Sequence, residues 1–412
     1  MAKSDNSKDK EREKEAKRRR RFWDAAQLIV GGWAKRKFVF SFDKSFEPAD
    51  IEGPVLVAIN HTCAYDPIFV GIAFKNKPLT FIASEHILRS KWGPFLEKNI
   101  SFIPHQKGGK GSRTALVAIK RIRRGESIFL AVEGEQTWNG RPLRVMPYTG
   151  KLVRGSGATL VTYVLEGGYL TAPRWSLAPR KGKVYGRPAG IYSPETLSGM
   201  SDEEVEALIA RDLSFDIWEW QKSQADGPVR FRCVKGGNAD GLERSVFTCP
   251  ECGAFGTLKS QGNSIGCSCG FRIRLLDTGF FEDGAPFETV ADWEELDKES
   301  LRRVLHDSGT AADSRAAEIF SDEEVHLARI NDGHGDEELT GGKLTLSRKT
   351  GSFMMSIGDY SFDLKDISNM TMVLAGRIVF SDKSGYYELT TQKGNRTNLR
   401  KYVIARDLLI KE

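Results

Sequence analysis

The stretch Val55–Phe69, VLVAINHTCAYDPIF, decides how the chain is read. Its apolar run Val55–Ile59 reads as a buried strand, and the run stops at Asn60-His61. Asp66-Pro67 then opens a helix. A strand that ends in a polar turn and enters a helix places its last residues at the carboxyl edge of a sheet, where open α/β folds hold their ligands. His61 and Asp66 would share that edge, and a histidine oriented by a carboxylate is a general base. The plainer reading makes Asp66 an N-cap ahead of a proline at the first helical position, with His61 an ordinary turn residue.

Outward from there, residues 46–225 alternate strand and helix. Strands are predicted at Val55–Ile59, Leu79–Ala83, Ile100–Pro104, Ser127–Val132, Ala158–Val164 and Lys183–Tyr185, and helices at Pro67–Phe74, Ser112–Arg124 and Asp202–Glu219. Ser201 and Glu204 form a capping box for the last helix. This is the pattern of an α/β domain. Two of its segments carry chemistry. Ser101–Arg124 holds Lys107, Lys110, Arg113, Lys120, Arg121, Arg123 and Arg124 with no acid until Glu126, and Gly108, Gly109 and Gly111 precede the helix. Helix N-terminal amides plus lysines suit phosphate, although the P-loop spacing is absent; a solvated basic helix face is the alternative. Phe129–Gly140 runs a buried strand into Glu133-Gly134, bringing an acid and a flexible turn to the same sheet edge.

Together these pieces resemble the glycerolipid acyltransferases typified by lysophosphatidic acid acyltransferase. Asn60-His61-x4-Asp66 resembles the family's N-H-x4-D block, Ser101-Phe102-Ile103 its second block, Ile128–Thr137 its F-P-E-G-T-R-S block with Glu133-Gly134 kept, and Ala158–Leu165 its fourth, strand block. The resemblance covers about residues 50–190, and four blocks in order are specific where H-x4-D alone is loose. It implies a mixed sheet flanked by helices. The departures matter: Val132 replaces the third block's proline, Glu135 and Gln136 its threonine and arginine, and His105 the arginine closing the second block. Those arginines are associated in the family with the acceptor's phosphate, and a neutral amide does not replace a bidentate guanidinium. Lys107, Arg141, Arg144 and Arg174 are the candidate substitutes.

The mechanism the resemblance implies is direct. His61 takes the proton of an acceptor hydroxyl, Asp66 holds the imidazole tautomer, and the hydroxyl attacks an acyl thioester carried by coenzyme A or acyl carrier protein. Gly134 and nearby amides are placed to cradle a phosphate or the oxyanion. Asn60, Phe102, His105, Lys107, Glu133, Gly134 and Gln136 are the expected substrate-binding residues, His61 and Asp66 the catalytic pair.

The flanking composition sets the context. At 412 residues, two or three domains are expected, and no apolar run approaches the 18 or so residues of a membrane span. Residues 1–21 carry ten Lys/Arg and five Asp/Glu and read as a basic disordered tail ending in Lys17-Arg18-Arg19-Arg20-Arg21. Residues 22–45 read as an amphipathic membrane-interface helix, with Phe22, Trp23, Leu28, Ile29, Val30 and Trp33. Residues 12–36 would then meet an anionic membrane surface, each basic residue adding about 1 kcal/mol; a core helix behind a basic tail is the alternative.

Beyond the acyltransferase domain (46–225), four of the six cysteines fall within 21 residues: Cys249-Pro250-Glu251-Cys252 and, fourteen residues on, Cys267-Ser268-Cys269. Paired thiolates at glycine-containing turns fit a tetrahedral structural zinc site, a ribbon over 226–290, and a reducing compartment better than two disulfides. The second pair is C-x-C rather than C-x-x-C, and Cys233 is a spare thiol. Some relatives in the family carry such a ribbon after the catalytic domain. Residues 291–320 read as a helical connector, Asp332–Glu338 as an exposed acidic loop, and 321–412 as a small β domain with a closing helix at Asn398–Ile410, a pattern resembling the pleckstrin-homology-like group.

The leading expectation is an O-acyltransferase acting on a lysophospholipid-like acceptor, cytoplasmic and peripheral on the cytoplasmic face of a membrane. The alternative is a non-catalytic lipid-binding or scaffolding protein that keeps the acyltransferase fold. A nucleic-acid-binding ribbon is disfavoured, because only Lys259, Arg272 and Arg274 lie near the cysteines.

Overall fold

A long helix, α1 (Ala2–Lys37), leads into the strand β1 (Val39–Phe42). Then come β2 (Val55–Ile59), α2 (Asp66–Ala73), β3 (Leu79–Ser84), α3 (Glu85–Leu88), α4 (Gly93–Asn99), β4 (Phe102–His105), α5 (Ser112–Ile122) and β5 (Ser127–Ala131). The series continues through α6 (Thr149–Ser156), β6 (Thr159–Glu166), α7 (Gly168–Thr171), β7 (Arg180–Lys181), β8 (Lys183–Tyr192), α8 (Pro194–Ser198), α9 (Asp202–Asp212) and α10 (Ile217–Lys222). The computed structural model describes residues 2–91, 93–105, 112–306, 317–331, 335–349, 352–392 and 394–410, and of residues 2–12, 112 and 335 the backbone alone. Contacts divide the chain into two units. The first holds the described residues up to 173 together with 179–232; the second holds 174–178 and the described residues from 233 on.

The first unit is built on a seven-stranded sheet in the order β1-β8-β6-β2-β5-β3-β4. All neighbours run parallel except β6 and β8, so the expected mixed sheet flanked by helices is present. The unbroken apolar run of β2 suits a central strand covered on both faces, and all five of its residues are buried. Successive residues of a strand point to opposite faces. Val55, Val57 and Ile59 join one core with Phe69 and Val70 of α2 and Ala34 of α1. Leu56 and Ala58 join the other with Ala118 of α5, Leu152 of α6 and Val205 and Leu208 of α9. Helices α1 and α2 therefore cover one face, and α5, α6 and α9 the other.

Three local readings differ from the sequence expectation. Helix α1 runs through the stretch expected to be a disordered tail and ends at Lys37, so residues 39–42 form an edge strand rather than the end of a helix. Its Glu13–Lys17, Glu15–Arg19 and Arg20–Asp24 pairs, each four residues apart, support the helix. Arg18 donates to Lys98 O at 2.8 Å, at the end of α4, and Arg19 donates to Ser101 Oγ at 3.1 Å. Farther along, Trp23 Nε1 reaches Lys75 O at 2.8 Å and Gln27 reaches Gly71 O at 3.0 Å. The predicted helix Asp202–Glu219 is two helices. Ser201 and Glu204 make the capping box of α9, and Asp216 caps α10 by accepting from the amides of Trp218 and Glu219, restarting the chain in a new helix. Helices α3, α4, α6, α7 and α8 were not expected.

In the second unit, strands Leu258–Gln261, Ser264–Cys267 and Arg272–Arg274 form a small antiparallel sheet. The segment before that sheet is tied to α11 (Val290–His306), where Asp297 accepts from the amides of Phe247 and Thr248 and Trp293 Nε1 donates to Thr248 O. Seven further antiparallel strands, from Ala317–Asn331 to Gly385–Thr391, precede the closing helix α12 (Arg400–Ile410). The helical connector thus ends earlier than expected, because Ala317 already lies in a strand. Of the expected acidic loop, Asp332–His334 lie outside the described residues, and Gly335–Glu338 belong to the strand Gly335–Lys349, paired with Ala328–Asn331.

Candidate active site

Asn60 closes the end of β2. Its Oδ1 accepts from Leu165 N at 2.9 Å and its Nδ2 donates to Leu165 O at 3.3 Å, so the buried amide imitates a strand residue and ties β2 to β6. The chain then turns through 61–65 into α2, and this turn is organised by one buried carboxylate. Asp66 Oδ2 accepts from Thr62 N at 2.7 Å and Cys63 N at 3.0 Å, and Oδ1 from Thr62 Oγ1 at 2.7 Å and Cys63 Sγ at 3.3 Å. His61 Nδ1 lies 2.8 Å from Asp66 Oδ2. Asp66 is thus not a simple N-cap. It is the first residue of α2, and its side chain reaches back to the loop that presents His61. Asp66 is fully buried while the His61 side chain keeps 18% exposure, so the imidazole is held from inside and accessible from outside.

The backbone of His61 is held on both sides by the segment after β5. Its N–H donates to Glu133 Oε2 at 3.1 Å, and its carbonyl accepts from Thr137 N at 3.0 Å. Glu133 Oε1 accepts from Leu143 N at 3.1 Å. Burial pushes the Glu133 carboxyl up to about 8; the amides of His61 and Leu143 oppose the shift and the charge of Asp66 adds to it. Gly134 makes the bend after Glu133 with φ +69°, and a Cβ there would sit 2.3 Å from Met146 Sδ. Behind the pair, Gly168 at the start of α7 lies against Thr62: a Cβ added to it would come within 2.1 Å of Thr62 Oγ1.

Residues 40–166 match the family model described as Acyltransferase. That span begins in β1, ends at the last residue of β6 and contains the His61–Asp66 pair. Among solved structures, the chain is similar to the 1-acyl-sn-glycerophosphate (LPA) acyltransferase PlsC from Thermotoga maritima, with 17% identity, 48% of this chain and 81% of that chain covered, and a TM-score of 0.41. No curated protein matches.

The other expected residues of the acyltransferase-like span fall into distinct settings. Glu133 is buried against backbone amides. Phe102 packs on Phe81 with ring centroids 6.0 Å apart. His105 ends β4 with Nδ1 3.4 Å from Thr114 Oγ1, Gln136 is half-buried, and Lys107 lies outside the described residues. Of the candidate arginines, Arg141 Nε lies 3.8 Å from Asp216 Oδ2, and Arg144 is exposed on the rim of a groove of about 450 Å³ that also includes Glu133, Leu143 and Glu206. Arg174 lies in the second unit and donates to Met372 O at 2.7 Å. Sequence reasoning missed Thr62, Thr137 and Gly168. The available signal was the Gly167-Gly168 pair directly after a β strand, a place where a backbone approaches something closely.

In the second unit Cys249, Cys252, Cys267 and Cys269 converge, their sulfurs all within 4.8 Å of one another. Cys249 and Cys269 lie 3.6 Å apart and Cys252 and Cys267 3.8 Å apart. A disulfide would need about 2.05 Å, whereas a tetrahedron of thiolates about 2.3 Å from a zinc ion has edges near 3.8 Å. Gly253 (φ +72°) and Gly270 (φ +105°) follow the two pairs and turn the chain tightly around the cluster. The donor set and its spacing are compatible with one zinc ion.

Proposed function

We propose that this chain transfers an acyl group from a thioester, on coenzyme A or acyl carrier protein, to a hydroxyl of a lysophospholipid-like acceptor. The observation that carries the reading is the His61–Asp66 pair at 2.8 Å, with a carboxylate held by four further donors, inside a span that matches an acyltransferase family model. With Nδ1–H donated to Asp66, Nε2 is the free acceptor. The acceptor hydroxyl gives its proton to Nε2 as its oxygen bonds the thioester carbonyl carbon. Collapse of the tetrahedral intermediate breaks the C–S bond, and the imidazolium returns the proton to the leaving thiolate. No enzyme nucleophile is required. Cys63 is buried, its thiol is pushed well up by burial and by Asp66, and thiolate character is what a nucleophile needs.

Glu133 acts in this scheme by positioning His61, and Asn60 by fixing the end of β2. Phe102, His105, Gly134 and Gln136 remain the proposed acceptor side of the site, with Arg141 and Arg144 the first described cations after Glu133-Gly134 in the sequence. Cys249, Cys252, Cys267 and Cys269 would hold a structural zinc ion whose chemistry is to cross-link the ribbon, four thiolates leaving no open position for catalysis. The C-terminal β strands and α12 are proposed as a pleckstrin-homology-like module.

Among the described residues no helix is long and apolar enough to cross a membrane. We place the protein at the cytoplasmic face of a bilayer through α1, whose Leu28, Ile29 and Trp33 are 81%, 74% and 40% exposed on one outward stripe. The second reading, a lipid-binding scaffold, is favoured only by the missing arginines at 105 and 136. The deciding experiment offers purified wild type and His61→Ala an acyl-CoA or acyl carrier protein donor and a panel of lysolipids. Loss of general-base catalysis predicts a fall of about 10²–10⁴ in rate. Undiminished turnover by His61→Ala would overturn the assignment, and no turnover by wild type with any acceptor would favour the scaffold.

A further inference from the structure

The strongest unassigned feature is a basic surface on α5 and α6. Arg113, Leu116 and Lys120 lie on one exposed side of α5, at positions i, i+3 and i+7, with exposed Arg124 just beyond its end. Exposed Lys151 of α6 lies on the neighbouring helix, preceded by Tyr148, which is 75% exposed. The two helices are joined by Arg123 donating to Gly155 O at 3.2 Å. Other cations nearby are engaged: Arg121 lies 3.4 Å from Glu126 and Arg154 2.6 Å from Asp202. Arg113, Lys120, Arg124 and Lys151 form no ion pair among the described residues.

Two geometric facts limit what this surface can meet. First, α5 and α6 cover the sheet face opposite to α1, because Leu56 and Ala58 point to them while Val55, Val57 and Ile59 point to α1 and α2. A planar bilayer touching the apolar stripe of α1 cannot also lie against α5 and α6. Second, α5 follows β4 and α6 follows the loop after β5, so both helices begin at the carboxyl edge of the parallel strands, the edge that carries His61. The four unpaired cations are spread along about 10 Å of α5 and onto α6. They do not converge on one point, as a small anion would require, but they match the extended acidic surface of a protein.

We propose, resting on the acyl-transfer reading, that the outer surface of α5 and α6 docks an acidic carrier protein that bears the acyl group as a thioester. The carrier would present its acyl arm over the shared sheet edge to His61, keep the thiol when the C–S bond breaks, and leave the α1 face free for the bilayer. The test uses the full chain and its K120E/R124E/K151E variant with one acyl group on two donors, acyl carrier protein and coenzyme A. Charge reversal is expected to raise KM for the carrier-borne donor about tenfold or more, while kcat and all constants for the coenzyme A donor stay within about twofold of wild type. Binding of the acyl carrier protein to His61→Ala should weaken with salt and weaken about tenfold when the three reversals are added. An unchanged carrier KM would overturn the proposal, as would equal loss with both donors, or a loss of binding to anionic vesicles instead. If wild type transfers from neither donor, the acyl-transfer reading fails, and the binding measurement on His61→Ala still decides the docking surface.

Discussion

Replacing Gly168 by alanine should cripple the proposed acyl transfer without changing either residue of the proposed catalytic pair. The added methyl would sit 2.1 Å from Thr62 Oγ1, 3.1 Å from Thr62 Cβ and 3.7 Å from Asp66 Oδ1. The backbone at Gly168 is not in the left-handed region, so the substitution acts through space alone. Thr62 has little room to retreat. It is buried, and its amide is bound to Asp66 Oδ2 at 2.7 Å. The displaced hydroxyl would lose its 2.7 Å bond to Asp66 Oδ1, a charge-assisted bond worth about 1.5–3 kcal/mol. If that loss falls wholly on the transition state, kcat drops about ten- to hundredfold. A carboxylate shifted by about 1 Å would add a penalty of similar size through His61.

The assay is a double-mutant cycle on kcat with Gly168→Ala, Thr62→Ala and the pair. Thr62→Ala alone removes the same hydrogen bond. Because the clash is centred on Oγ1, the double variant should be no worse than Thr62→Ala alone, a coupling of about 1–3 kcal/mol. Thr62→Ser, which keeps the hydroxyl, should retain most activity in the Gly168 background. Strict additivity, or a wild-type kcat in Gly168→Ala, would refute the reasoning that Gly168 and Thr62 act through Asp66.

The remaining predictions test other parts of the molecule. Metal analysis of the purified chain should find one zinc per molecule, and Cys252→Ser should weaken zinc binding by more than about a hundredfold, since even partners of ligands are worth ten- to hundredfold; chelator-insensitive melting of the second unit would count against the site. Glu133, with its carboxyl pushed from an ordinary 4.5 to about 8, holds a proton in the native state that the unfolded chain has released, so stability of the first unit should fall as pH rises between those values and level off above. Glu133→Gln should remove that slope from a series of melting temperatures between about pH 5 and 8.5. Leu28→Asp with Ile29→Asp should reduce binding to anionic vesicles by about tenfold or more per residue, because each side chain gains about 1.5–3 kcal/mol on leaving water; undiminished flotation with vesicles would exclude α1 as the contact.

The central strand and the proximity of His61 to Asp66 were legible because each is encoded locally. Val55–Ile59 is an unbroken apolar run, and His61 and Asp66 sit on a single turn. The supporting roles of Glu133 and Asn60, both read from the sequence as substrate-binding, were not legible, because their partners lie far along the chain. Glu133 reaches the backbone of His61 across 72 residues and Asn60 meets Leu165 across 105. The strand Ala317–Asn331 escaped notice for another reason. Its pairing shifts register between Glu318 and Phe320, between Asp322 and Val325, and between Leu327 and Ala328, with Glu324 at φ +58°. The buried residues Phe320, Val325 and Leu327 fall out of step across the shift between Asp322 and Val325, so no steady period of two survives in the sequence.

The N-terminal segment shows how a charge count differs from a charge allotment. Five consecutive cations, Lys17 to Arg21, suggest a tail offered to an anionic surface. In the folded chain Lys17 is paired with Glu13, Arg20 with Asp24, Arg18 holds Lys98 O near the end of α4 and Arg19 holds Ser101. Four of the five side chains are thus tied to the protein rather than free to reach lipid, so the membrane affinity proposed for α1 rests more on Leu28, Ile29 and Trp33 than on this cluster. It should therefore resist salt more than a polybasic tail would, because apolar burial is not screened. By the same logic the unpaired cations of α5 and α6 mark one place where electrostatics can select a partner.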